Sequence, residues 1–180
     1  MISAHGLGVS PSEQCIFDGM TITLRRINRS NWRQAVALKP RAEQERFVGT
    51  PLASLAHAFI RRYGDQYVYA PGIICDGDQI VGFYCTLCNV NSTYDFWVDD
   101  IMIDARYQGH GYGRAGMNEV IRSILRDCPQ CAAIKLHCNR DNEKAARLYL
   151  SMGFRLSGRI SPDNGQPEYE LSGPALQAYR

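Results

Sequence analysis

The feature that most constrains the fold is a set of alternating glycines, Gly109, Gly111 and Gly113, between a strand-like stretch and a helical one. Asp95 to Ile103 reads as a strand. Met117, Val120, Ile121, Ile124 and Leu125 then recur at helical spacing and mark one apolar face. Ala133 to Cys138 is short and β-like again. Strand, helix and strand in that order require a parallel crossover, because a tight turn can only join antiparallel strands.

The rest of the chain sets the sheet around that unit. Met20 to Arg25 alternates apolar and polar, as a half-buried strand does. Asn28 or Ser30 is placed to cap a helix carrying Trp32, Val36 and Leu38. A second helix is expected from Leu52 to Tyr63. Tyr67 to Cys75 and Gln79 to Leu87 flank Asp76-Gly77-Asp78, a hairpin signature, with Pro71 suggesting a bulge or an edge. After Cys138 come a helical stripe of Ala145, Leu148, Tyr149 and Met152, a glycine cap at Gly153, and two strands near Arg155–Ile160 and Glu168–Leu171. This order predicts a mixed α/β domain of the α+β kind, with one central, mostly antiparallel twisted sheet flanked by helices. Residues 1–18, rich in Ser, Gly and Pro, read as a poorly ordered extension, and residues 19–180 as a single domain.

Bulk composition narrows the function classes. The chain has 180 residues, 45% hydrophobic and 21% charged, which fits one ordinary globular domain. Its net charge of +2, from 20 basic and 18 acidic residues, is too balanced to point to nucleic acid or a membrane surface as partner. No apolar run approaches the ~20 residues that span a bilayer. Residues 1–14 lack a basic stretch followed by a long apolar core, so a cytoplasmic location is expected.

Seven cysteines include two C-x-x-C pairs, Cys85/Cys88 and Cys128/Cys131. The odd number and the missing signal argue for reduced thiols. Cys85 and Cys88 lie in an expected strand, where residues three apart face opposite ways. The gap between the pairs also exceeds the usual zinc-ribbon spacing of about 15–20 residues. No metal is expected.

Glycines before a helix have a specific chemical use. A pyrophosphate needs several N–H groups and no crowding. A helix N-terminus supplies the amides and the dipole, and glycines supply φ > 0 and close approach. Arg106 and Arg114 could add charge. Gly111-x-Gly113-x-x-Gly116 also fits a dinucleotide motif, but Asp104 to Gln108 intervene after the strand and Cys138-Asn139 stands where an acid is wanted.

At these residues the chain resembles the GNAT superfamily of acyl-CoA-dependent N-acetyltransferases. Arg106-Tyr107-Gln108-Gly109-His110-Gly111-Tyr112-Gly113 fits its Q/R-x-x-G-x-G/A motif. The segment from Asn142 through Ala145, Leu148 and Tyr149 to Gly153-Phe154 fits its second motif. Within the family, Asp99 to Ile103 before Tyr107-Gln108-Gly109 is similar to diamine and spermidine/spermine acetyltransferases.

The resemblance implies acetyl-CoA as cosubstrate and a small amine, a polyamine first, as acceptor. An aminoglycoside, an amino acid or a protein N-terminus are alternative acceptors, and an acyl-CoA-binding module without turnover is the non-enzymatic alternative. It also implies a homodimer. Ile101, Met102 and Ile103 would meet the pantetheine arm, with the Ile101 amide near the thioester carbonyl. Gln108, Gly109, His110, Gly111, Tyr112, Gly113 and Arg114 would hold the pyrophosphate. Asn142 and Ala145 would meet the cofactor at the start of the last helix, although Asn142 could equally serve as its N-cap. Tyr149 would protonate the leaving thiol, since a phenol of pKa ~10 suits that task. Asp99 is the expected base, on the same strand face as Ile101 and Ile103, with Asp100 facing away. His110 and His137 are alternative bases.

Overall fold

The computed structural model describes residues 15–17, 19–92 and 94–180. Most of the expected N-terminal extension therefore lies outside the described residues. Its described part, Cys15–Phe17, is a short strand (β1). The other strands are β2 (Met20–Arg26), β3 (Tyr67–Asp76), β4 (Gln79–Asn89), β5 (Phe96–Ile103), β6 (Ala133–His137), β7 (Arg155–Ile160) and β8 (Pro167–Ser172). They form one sheet in the order β1-β2-β3-β4-β5-β6-β8-β7. Every pairing is antiparallel except β5 with β6.

Helix α3 (Tyr112–Asp127) makes the crossover from β5 to β6 and carries the expected apolar face. It packs on the sheet with α4 (Glu143–Ser151) and α5 (Gly173–Gln177), burying Met117, Val120 and Ile121 against Ile74, Val98 and Ile134. Gly116 permits this approach, since a Cβ there would stand 2.9 Å from Ile74 Cδ1. The opposite face carries α1 (Trp32–Val36) and α2 (Pro51–Ile60), where Leu38 packs with Phe83, Cys85 and Met102. The helical turn at Ala42–Phe47 and the short α5 were not legible as periodic segments.

Three expectations are corrected or refined locally. Neither Asn28 nor Ser30 caps α1; Asn31 takes that position, and its side chain accepts a bond from the Asn28 amide instead. Strand β2 ends opposite Gly72, so Pro71 lies where β3 has a strand neighbour on β4 alone, and its missing N–H is tolerated. The irregularity in β3 falls at Ile74/Cys75.

Candidate functional site

The site begins where two parallel strands part. Strands β5 and β6 pair only at Phe96–Ile134 and Trp97–Lys135. Beyond Trp97, β5 continues for six residues with no partner on its β6 side. One cause is a bulge: Cys85 pairs with Asp100 and Thr86 with Val98, so Asp99 is the extra residue. A bulge bends its strand and raises the local twist. The unpaired edge of Ile101 to Ile103 leaves backbone groups free to meet a ligand, apart from the Ile103 carbonyl, which accepts from the Gln108 side chain.

Against this edge lies a cavity of about 390 Å³, a volume in the range of small-molecule sites. Ile101, Met102, Ile103, Gln108, Gly109, Gly111, Gly113, Arg114, Asn142, Ala145 and Tyr149 line it, as the sequence reading groups them. His110 and Tyr112, also grouped there by the sequence, do not line it. The His110 ring is exposed near the Tyr107 carbonyl, and the Tyr112 hydroxyl donates to Asp76 at 2.8 Å.

The glycine turn has the geometry expected of an anion cradle. Gly109 and Gly111 have φ of 92° and 87°, and Gly111 is the N-cap of α3. Among the described residues the amides from Gly109 to Gly113 have no backbone acceptor; those of Tyr112 and Gly113 lie in the first turn of α3, which leaves amides without one. Gln108 supports the turn by donating to the Ile103 carbonyl and to Gln44, while its own Oε1 is buried beside the cavity without a partner among the described residues. Arg114 donates to Ser151 at the rim. Arg106 is not available to the cradle, since it forms a 2.7 Å ion pair with buried Asp104.

Helix α4 brings Tyr149 to the other end. Asn142 is its N-cap, with Oδ1 accepting from the Ala145 amide at 3.2 Å, and it also lines the cavity. The C-terminus closes as a Schellman motif: the Gly153 amide bonds the Leu150 carbonyl and the Phe154 amide bonds the Tyr149 carbonyl. Gly153 has the positive φ, 99°, that this cap requires. Phe154 and Tyr169 pack against the Tyr149 ring. Burial, with smaller effects of Cys138 and Asp100, pushes the Tyr149 phenol well above its usual pKa, so it stays protonated at neutral pH. Its hydroxyl has no hydrogen-bond partner among the described residues.

The acids are arranged differently from the expectation. Strict alternation would put Asp99 with Ile101 and Ile103, but the bulge breaks the alternation. Asp99 instead lies among Tyr63, Tyr69 and Arg62, on the α2 side of the sheet. Asp100 is turned to the same side and is fully engaged, accepting from the Gly49 amide at 3.2 Å and from the Ser54 hydroxyl. Asp99 accepts no hydrogen bond from any described residue. Its tip is open to solvent, yet the surrounding protein, and then the Asp100 charge, push its carboxyl up to about 6 against a smaller pull from Arg62. His137 stands elsewhere, against Trp97, its ring centroid 4.9 Å away; burial lowers its pKa.

Sequence reasoning missed the far wall. Pro40, Gln44, Phe47 and Val48 close the cavity from the α1–α2 connection, and Lys144 adds an exposed cation at the start of α4. That connection is pinned by Asp104, which accepts from the Lys39 amide at 3.3 Å. A buried acid just before the glycine motif was the available signal. Cys75, Cys85, Cys88, Cys128, Cys131 and Cys138 are free thiols, and no cluster able to hold a metal occurs among the described residues. No described helix is long and apolar enough to cross a membrane.

Comparison with known proteins fits this geometry. Residues 24–154 match the Acetyltransferase (GNAT) family. A spermine/spermidine N(1)-acetyltransferase of Bacillus subtilis (strain 168) is 30% identical over 99 residues, which cover 52% of this chain and 64% of that protein. The matched region thus spans less than two thirds of that relative's length. Among solved structures, a spermidine N-acetyltransferase from Vibrio cholerae in complex with CoA and spermine aligns over 83% of this chain and 92% of its own, with TM-score 0.60 and 18% identity. An aminoglycoside acetyltransferase in complex with coenzyme A and kanamycin aligns over 87% and 98%, with TM-score 0.68 and 18% identity. Both likenesses establish the fold.

Proposed function

The chain belongs to the GNAT acetyltransferase family, and on that premise we propose that it transfers an acetyl group from acetyl-CoA to a primary amine of a small cationic acceptor, with polyamines as the leading class. The observation that carries this reading is the cavity between three elements: the unpaired edge of β5, the free amides of the glycine turn, and the Tyr149 hydroxyl.

In this reading the amides of Gly109 to Gly113 and the α3 dipole receive the pyrophosphate, with Arg114 and Lys144 adding positive charge. The orphaned Gln108 Oε1 accepts from an amide of the cofactor arm. Ile101 to Ile103 hold that arm as an added strand. The neutral amine attacks the thioester carbonyl carbon, and the Ile101 amide stabilises the oxygen as it becomes anionic. The C–S bond then breaks, Tyr149 gives its proton to the departing sulfur, and the proton that the attacking nitrogen sheds on becoming an amide returns to the phenol. Burial keeps that phenol protonated through the neutral range, so the pH dependence on the acid side falls to Asp99. Asp99 takes the proton that the ammonium must lose before attack. Its carboxyl titrates at about 6, so the base is mostly ionised at pH 7 while the amine is still mostly protonated.

The two curated or solved polyamine acetyltransferases above support the polyamine reading; the aminoglycoside enzyme supports the reaction with a different polycation. The test is release of free thiol from acetyl-CoA across a panel of polyamines, aminoglycosides, amino acids and peptides. Turnover with spermidine and not with the amino acids or peptides is expected. Binding of acetyl-CoA with no thiol release on any amine would leave a binding module.

A further inference from the structure

A second cluster of polar and aromatic side chains lies on the α2 side of the sheet, away from the glycine turn. Its floor follows from register: Trp97 pairs with Lys135, Lys135 with Glu170 and His137 with Glu168, so these side chains share one face of β5, β6 and β8. Its wall on the α2 side is Tyr63, stacked on Tyr69 with centroids 6.0 Å apart. The β7–β8 loop closes it, because Asp163 accepts from the Tyr63 hydroxyl at 3.1 Å. Asp163 is also close enough to act on His137, so one loop residue links the two walls.

The cations around this cup are matched. Arg62 lies 3.8 Å from Asp163 and packs over Tyr63. Lys135 lies 4.0 Å from Asp95 and 5.2 Å from the Trp97 ring centroid, an instance of an alkylammonium held between a carboxylate and an aromatic face. Glu168 is different. It is only 4% exposed, yet its Oε1 has no partner among the described residues. Its strand neighbour His137 is disfavoured as a cation by burial, so it offers no reliable counter-charge. The Tyr69 hydroxyl, near Asp99, is buried without a partner too. Buried polar groups are nearly always hydrogen-bonded, so two orphans on one face of the sheet point to a missing donor and acceptor.

We propose that this cup receives a second cationic nitrogen of the acceptor, held by the Glu168 carboxylate beside the His137 and Trp97 rings. The inference rests on the amine-acetylating reading above and gives it a specificity device. Asp99 and Glu168 stand two strands apart, β5 to β6 to β8, a separation of at least about 10 Å, because β5 and β6 part beyond Trp97 and exceed ordinary strand spacing there. A flexible diamine can place its reacting nitrogen at Asp99 and its remote ammonium at Glu168, whereas a monoamine fills only the first position. A carboxylate that is desolvated and unpaired discriminates strongly between a ligand that supplies N–H donors and one that does not.

The experiment compares kcat/KM for putrescine with that for butylamine, and for 4-aminobutanol as a neutral-ended analogue, in the parent, Glu168→Gln and Glu170→Gln proteins. Spermidine-induced thermal stabilisation is measured in parallel on each. The parent should prefer putrescine by at least about tenfold, a ratio worth ~1.4 kcal/mol. Glu168→Gln, which keeps size and polarity, should bring the putrescine-to-butylamine ratio close to one and abolish the spermidine stabilisation. Glu170→Gln should move both far less. Equal losses on both amines in Glu168→Gln would overturn the proposal and leave that carboxylate a structural, water-bonded group. Equal effects of the two variants would also overturn it, reducing the preference to a diffuse field. If no amine releases thiol, the reaction reading fails by itself, and the Glu168-dependent stabilisation still decides the cup.

Discussion

The two sides of β5 offer different kinds of group to a ligand. On the cavity side, the groups offered are mostly main chain: the amides of Gly109 to Gly113 and the free edge at Ile101 to Ile103. On the α2 side they are side chains: Asp99, Tyr63, Tyr69, Trp97, His137 and Glu168. Main-chain recognition needs a local backbone geometry that glycine spacing encodes within a few residues. Side-chain recognition needs residues from β3, β5, β6, β8 and a loop to converge, and can change one residue at a time. The first suits a cosubstrate shared by a whole family; the second suits an acceptor that varies within it.

The contrast is tested most severely by Tyr149, which stands between the two sides. Tyr149→Phe removes the proton donor and little else, since the ring contacts to Phe154 and Tyr169 remain. A fall in kcat of about 10²–10⁴-fold with unchanged affinity for acetyl-CoA is expected. If kcat survives, the tyrosine belongs to the core alone.

A smaller effect should confine itself to the cavity side. Gly111→Val forces a β-branched residue to φ 87°, at a cost of about 1–3 kcal/mol. Affinity for coenzyme A should drop about tenfold or more. In calorimetry, the spermidine-dependent stabilisation should persist. Loss of both together would break the division between the two sides.

The smallest effect is a matter of pH and belongs to the α2 side. The parent's kcat/KM should fall as pH drops through about 6, where Asp99 gains its proton. Asp99→Asn should lack that inflection and recover activity toward the pKa of the amine. Stability gives a second readout. The folded carboxyl titrates above the unfolded one, so the native state holds the extra proton between about pH 4 and 6 and stability falls as pH rises through that window. Asp99→Asn should therefore melt higher than the parent at pH 8 and equally at pH 3.5. An inflection that remains in the variant would assign the base elsewhere, with His137 the alternative.

How much of this was legible follows from the range of each signal. The crossover helix, the glycine turn, the Asn142 cap and the Gly153 terminus are set by neighbours within a few residues, and each stands where periodicity and cap chemistry put it. The face of Asp99 was misread because alternation assumes an unbroken ladder, and one register shift at Cys85/Thr86 moved it to the other side. The cavity's far wall was invisible because Pro40, Phe47 and Val48 lie in a segment without a period, positioned by Asp104 some sixty residues away in sequence.

The sequence by itself determined the element order, the parallel crossover and the backbone cradle, because hydrophobic period and glycine spacing act locally. Only the tertiary structure decided which acid is free. Asp99 and Asp100 are chemically identical neighbours, and the chain distinguishes them by packing: Gly49 and Ser54 bind Asp100, while the bulge leaves Asp99 open beside Tyr69. The same holds for Glu168, an ordinary strand residue in sequence, whose burial without a partner arises from the meeting of β6 and β8. Desolvation depends on what the whole fold places around a group, and no local pattern carries that information.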